Sequence, residues 1–229
     1  MKKYIPNFLT VCNLICGCMA VFCGFNAMLF GNFSLPLYFI LAAAVFDFFD
    51  GFAARMLKAY SEIGKQLDSL ADMVSFGLAP SAVAAAILGS SSDINNMLPL
   101  AGFAIAVFSA LRLAKFNIDN RQETSFIGLA VPANAIFWAG LANSYNAQII
   151  DFPYIIIVLI TISCFMLVCN LPMFSLKFKT YKWKGNEFRW ILIFGAIILL
   201  ILIQLRAFAW IIIFYIFLSF IKYFCCKNS

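Results

Sequence analysis

Histidine is absent from all 229 residues, and charge is scarce: Asp, Glu, Lys and Arg together make up 11% of the chain. The first absence excludes zinc sites built on imidazole and every catalytic triad that needs a histidine. The second excludes an ordinary soluble domain, in which about 25% of residues are charged. No stretch alternates apolar and polar residues in the manner of a membrane β-barrel strand. The longest polar linker, 177–189, is too short to fold alone. The eight cysteines lack C-x-x-C spacing; Cys12, Cys16, Cys18 and Cys23 crowd one apolar segment and read as small packing residues. Adjacent Cys225 and Cys226 offer a site for acylation at a membrane surface.

What fills the chain instead is hydrocarbon, 64% hydrophobic residues with 27 phenylalanines. The expected fold class is an all-α membrane protein, a polytopic helical bundle, because helices satisfy their own backbone hydrogen bonds in lipid. Apolar segments of roughly spanning length fall at 9–30, 35–57, 67–88, 97–113, 128–141, 154–171, 190–205 and 208–223, which predicts about eight transmembrane helices. With the N-terminus inside, this count places all of the 16 lysines and arginines except Arg206 on one side. By the positive-inside rule both termini are then cytoplasmic and the linkers 31–36, 89–96 and 142–153 face outward. Tyr181, Trp183 and Trp190 are expected as interfacial anchors on the inner side. The net charge of +6 is explained by this topology, and no continuous basic stripe suggests nucleic acid. Met1-Lys2-Lys3 and Ile15-Cys16-Gly17-Cys18 have the look of a leader with a lipoprotein cleavage site. Pro6, Asn7 and Asn13 interrupt its apolar core, however, so a retained first helix is predicted.

Against this background one stretch stands out. Asp47, Asp50-Gly51, Ala54-Arg55, Gly64, Asp68 and Asp72 follow the spacing D-x2-D-G-x2-A-R-x8-G-x3-D-x3-D. Each carboxylate inside a membrane helix costs roughly 2.5–3.5 kcal/mol on insertion scales, so four of them call for a compensating partner. On a helix Asp47, Asp50, Gly51 and Ala54 share one face, as do Gly64, Asp68 and Asp72 on the next, and a short turn around 58–62 lets the two faces meet. Oxygen ligands without His or Cys favour a hard cation, Mg²⁺, Mn²⁺ or Ca²⁺, and four carboxylates suit two ions with bridging ligands. Such a pair fits a pyrophosphate and in-line displacement at phosphorus. Arg55 is placed to hold a phosphate oxygen, while the small residues leave room for a ligand or for close helix approach. The residues alone also allow a proton or cation pathway, as in a cation-coupled membrane transporter.

The same spacing resembles in full the signature of the CDP-alcohol phosphatidyltransferases. That resemblance implies a cytidine-diphosphate lipid as donor, release of CMP, and two divalent metal ions, Mg²⁺ or Mn²⁺, on Asp47, Asp50, Asp68 and Asp72. It further implies Asp72 as the catalytic base toward the acceptor alcohol, and Gly51, Ala54, Arg55, Gly64, Asn7 and Thr10 around the CDP and its pyrophosphate.

Three more segments narrow the match. Pro6-Asn7-Phe8-Leu9-Thr10 with Asn13-Leu14 and Gly17, then Arg112 to Asn117, then Phe126 to Ala133, look like those of the membrane-bound phosphatidylserine synthases. The resemblance runs from Pro6 to about Ala135, the later helices being similar only in hydropathy. Lys115 stands where arginine is more usual, keeping the charge without the planar fork, and Ala130 where proline is common. The implied substrates are CDP-diacylglycerol and L-serine, with Arg112, Lys115 and Asn117 around the serine. Glycerol 3-phosphate or inositol phosphate would suit the cluster Arg112, Lys115 and Arg121 as well. One domain spanning 1–229, with its motif core at 47–72 and peripheral helices at about 190–223, is expected in the cell (inner) membrane. Its active site would face the cytoplasm amid membrane lipid, in a homodimer by family resemblance.

Overall fold

The computed structural model describes residues 4–27, 32–59, 61–90, 97–118, 126–144, 153–174, 176, 183 and 185–227. The expectations resting on Lys2, Lys3, Arg121, Lys177, Lys179, Tyr181, Lys182, Lys184 and the side chains of Cys225 and Cys226 lie outside the described residues.

The architecture is helical almost throughout. Helix α1 (Tyr4–Phe25) is followed by α2 (Ser34–Met56) and by α3 (Glu62–Gly89), which changes to π geometry over Met73–Leu78. Helix α4 (Leu98–Ile118) opens with the 3₁₀ turn Leu98–Phe103. Then come α5 (Val131–Asn143), α6 (Pro153–Val168), α7 (Glu187–Ile203) and α8 (Ala207–Lys227). Two strands of two residues, β1 (Phe126–Ile127) and β2 (Pro172–Met173), pair antiparallel with Phe126 opposite Met173.

Five helical stretches among the described residues are long and apolar enough to cross a membrane. They are α1, α2, α3, α4 and the α7–α8 stretch Glu187–Phe224, which counts once. Helix α5, at 13 residues, reaches only about 20 Å at 1.5 Å per residue, short of a hydrocarbon core near 30 Å. The α7–α8 stretch breaks at Gln204, where φ is +51° and the 3₁₀ turn Gln204–Arg206 intervenes. Helix α1 takes in residues 4–8 ahead of the apolar run that opens at residue 9, with Pro6 among its buried residues.

Helix α1 organises the front of the molecule. Its buried residues Pro6, Thr10, Asn13, Gly17, Ala20 and Gly24 recur every three or four positions, forming one inward face of small and polar groups. That face lies on α2 and on both halves of α3. At Gly17 a Cβ would stand 2.8 Å from the Ser75 Cα and 2.9 Å from its N, so two backbones touch where no side chain fits. An apolar cluster that includes Leu37, Ile40, Phe76, Val131 and Ala135 ties α1, α2, α3 and α5 together. Helix α5 is the buried post of the back half: Trp138 is fully buried and its Nε1 donates to Ser163 Oγ on α6 at 3.1 Å. Helix α8 packs on α5 so closely that a Cβ at Gly140 would stand 2.5 Å from the Ala209 N, whereas α7 buries only Leu192.

The outward face of α2 is aromatic beside its carboxylates. Phe48, Phe49 and Phe52 are exposed, with Phe48 stacked on Phe52, while Asp50 between them points inward and is buried.

Candidate active site

The α2–α3 turn brings the two motif halves face to face. Helix α2 ends at Met56; Lys58 adopts φ +48°, and the Ala59 N–H closes on the Ala54 carbonyl at 3.0 Å. Helix α3 then begins at Glu62, with Ser61 as its N-cap accepting from the Gly64 N–H at 3.0 Å. This reversal sets Asp68 opposite Asp47 and Asp50, and one carboxylate oxygen from each of the three lies within 4.8 Å of the others. Asp47 and Asp68 are half-buried, Asp50 is buried, and Asp68 Oδ1 is a buried acceptor with no hydrogen-bond partner. No salt bridge to a cation offsets this cluster among the described residues. Three oxygen donors so close together, with an orphaned acceptor among them, fit a hard divalent cation.

A cavity of about 610 Å³ opens on the cluster. Its walls bring together Asn7, Thr10, Gly51, Ala54, Arg55 and Gly64 with Asp50 and Asp68. The Thr10 hydroxyl donates to Asp50 Oδ2 at 2.8 Å, although the Pro6 carbonyl also lies within reach at 3.0 Å. The two glycines play different parts. A Cβ on Gly51 would meet nothing within 4 Å, so that position faces open cavity. On Gly64 it would stand 2.8 Å from Ser61 Oγ and 2.9 Å from Asn7 Oδ1, where α1 crosses α3. Gly51→Ala is therefore expected to raise the KM for the donor about tenfold with an unchanged melting temperature. Gly64→Ala should instead cost about 1 kcal/mol of stability through the disturbed Ser61 cap. Steady-state kinetics and thermal unfolding of the purified pair check both.

Asp72 sits one turn beyond Asp68, at the entry to the π segment, and its Oδ1 accepts from Asn13 Nδ2 at 3.2 Å. Sequence reading missed Asn13 as a partner of the motif. Its signal was a third polar residue on the Thr10 face of an otherwise apolar helix. Lys65, Glu62 and Ser61 also line the cavity without having been anticipated there.

Arg112, Lys115 and Asn117 differ in their surroundings. Arg112 is buried and turns toward the segment ahead of α5: its Nε donates to the Leu129 carbonyl at 2.7 Å, its guanidinium stacks over Phe116 at 5.7 Å, and Nη2 has no hydrogen-bond partner. The Leu129 segment is itself pinned, since Gly128 (φ +73°) and Leu129 donate to the Leu171 and Met166 carbonyls at 2.8 Å each. Lys115 is exposed, and Asn117 donates to Ser69 Oγ on α3 at 2.9 Å.

The pattern of the CDP-alcohol phosphatidyltransferase family matches residues 3–221, and the chain belongs to that family. The match continues through the later helices, well past the end at Ala135 that the motifs alone indicated. Among its relatives is a CDP-diacylglycerol–serine O-phosphatidyltransferase of Bacillus subtilis, 37% identical over 144 residues, or 63% of this chain and 78% of the relative. The protein of the same name from Helicobacter pylori is 30% identical over 198 residues, covering 84% of this chain and 80% of its own. That of Methanocaldococcus jannaschii is 34% identical over 147 residues, 64% of each.

Proposed function

We propose that this protein transfers the phosphatidyl group of CDP-diacylglycerol to the hydroxyl of L-serine, giving phosphatidylserine and CMP. The observation that carries the proposal is the convergence of Asp47, Asp50 and Asp68, the last two lining a cavity together with Gly51, Ala54, Arg55 and Gly64. The relatives' names supply the acceptor.

In this reading Asp47, Asp50, Asp68 and Asp72 would hold two divalent cations, Mg²⁺ or Mn²⁺, and that pair would supply the positive charge that a pyrophosphate and an in-line displacement at phosphorus require. Arg55 grips a phosphate oxygen, and Asn7, Thr10, Gly51, Ala54 and Gly64 shape the nucleotide cleft. Asp72 takes the proton from the serine hydroxyl as its oxygen bonds to the β-phosphorus and the bond to CMP breaks. Arg112 is a buried guanidinium with one nitrogen still unpaired, and it suits the serine carboxylate. Lys115 and Asn117 extend that corner toward the cytoplasm. The acyl chains stay in the bilayer.

The proposed setting is the cell (inner) membrane, with about eight transmembrane helices, the short α5 buried among the others, both termini and the active site on the cytoplasmic side, and one domain spanning 1–229. In it the 47–72 core is the working part, helices 190–223 lie at the periphery, and two copies form a homodimer.

The test is CMP release by the purified protein with CDP-diacylglycerol, Mg²⁺ or Mn²⁺ and a panel of alcohols. Release is expected only with serine. Release with glycerol 3-phosphate or inositol phosphate and none with serine would remove the acceptor assignment. Cation flux in liposomes without CMP would make the protein a transporter.

A further inference from the structure

Asn13 is fully buried, and its side-chain nitrogen and main-chain carbonyl both bond to the same stretch of α3, while its Oδ1 has no hydrogen-bond partner. Its side-chain Nδ2 donates to Asp72 Oδ1 at 3.2 Å, and its main-chain carbonyl accepts from Ser75 Oγ at 3.0 Å. One turn on, Gly17 lets the Ser75 backbone come directly against α1. Between Asp72 and Ser75 the helix has just changed from α to π geometry, in which hydrogen bonds span five residues and not four. Such a segment is a single-turn irregularity that neighbouring contacts must hold in register, and α1 contacts it at both of these residues.

We propose that Asn13 is a positioning residue for Asp72. Its amide occupies Oδ1 and so presents Oδ2 to the acceptor hydroxyl, while the Asn13–Ser75 bond fixes the π turn that aims the whole carboxylate. The proposal rests on the reading of Asp72 as the base. A carboxylate with two equivalent oxygens and a free χ2 would spend part of its time misaligned, and a misplacement of about 1 Å costs on the order of 10²-fold in rate. The amide removes that freedom without touching substrate itself.

The experiment compares wild type with Asn13→Leu, similar in size but without the amide, and with the isosteric Asn13→Asp, in case the leucine variant does not fold. A positioning role lowers kcat about 10²-fold and leaves the KM for CDP-diacylglycerol and the affinity for CMP within about threefold of wild type. Weakened CMP binding with kcat intact would make Asn13 a nucleotide contact, and kcat within about threefold would leave it no role; either result overturns the proposal. A readout independent of turnover is the melting temperature of Asn13→Leu made in wild-type and in Asp72→Asn backgrounds. Coupling predicts that the double variant departs from the sum of the single shifts by more than about 2 °C, and additive shifts overturn the contact. If serine fails but another alcohol is accepted, kcat is read with that alcohol. If no alcohol is accepted, the function proposed above falls, and the melting-temperature cycle still decides Asn13.

Discussion

Asp68→Asn is expected to abolish CMP release, by about 10³-fold or more, while making the metal-free protein more resistant to heat. Both effects follow from one geometry. Asp68 contributes a buried oxygen without a partner to a group of three carboxylates whose oxygens lie within 4.8 Å. Asparagine keeps the shape but loses the charge that a hard cation requires, and removing electrostatic stabilisation of a transition state at a buried site commonly costs 10²–10³-fold or more. Without the cation the same three carboxylates repel one another, so deleting one charge relieves the fold. CMP release with serine measures the first effect, and thermal unfolding in a chelator measures the second. Stabilisation with full activity would show that the cluster binds no metal needed for the reaction.

Asp72→Asn should lose about 10²–10⁴-fold in kcat, the range for a general base, but keep most of the affinity for CMP in the presence of divalent cation. It should respond differently from Asp68→Asn because the three oxygens within 4.8 Å of one another come from Asp47, Asp50 and Asp68, whereas Asp72 accepts from Asn13. Isothermal titration with CMP and Mn²⁺ beside steady-state turnover separates the two variants. Retained turnover would take the proton-accepting role away from Asp72.

The carboxylate face was legible in the sequence because it depends on local spacing alone. Asp47, Asp50 and Ala54 share a face on any α-helix, and with a turn of a few residues the partner face carrying Asp68 has little choice of position. The surroundings of Arg112 were not legible. Its orientation is set by the Leu129 carbonyl, and that carbonyl is positioned by Gly128 and Leu129 bonding to Leu171 and Met166, partners some forty residues farther along the chain. The π segment at Met73–Leu78 was missed as well, although Pro80 just beyond it was a signal: it has no N–H for the Phe76 carbonyl, which lies inside that segment. The first helix was placed too late in the chain because Pro6 and Asn7 read as interruptions of an apolar run. In the fold Pro6, Thr10 and Asn13 are its buried face, and the apolar residues Tyr4, Ile5 and Phe8 are the exposed ones. In a membrane bundle polarity points inward, the reverse of the soluble expectation.

The three rings on the outer face of α2 lie where, on the function proposed above, a lipid donor would meet the helix. Phe48, Phe49 and Phe52 are in contact with the surroundings of the helix at the level where Asp50 turns inward. A donor reaching the aspartates past them travels by lateral diffusion in two dimensions, so its abundance is counted as a mole fraction of the bilayer while serine is counted per volume of water. Inert lipid added at constant donor then slows the enzyme as surely as water added to the serine.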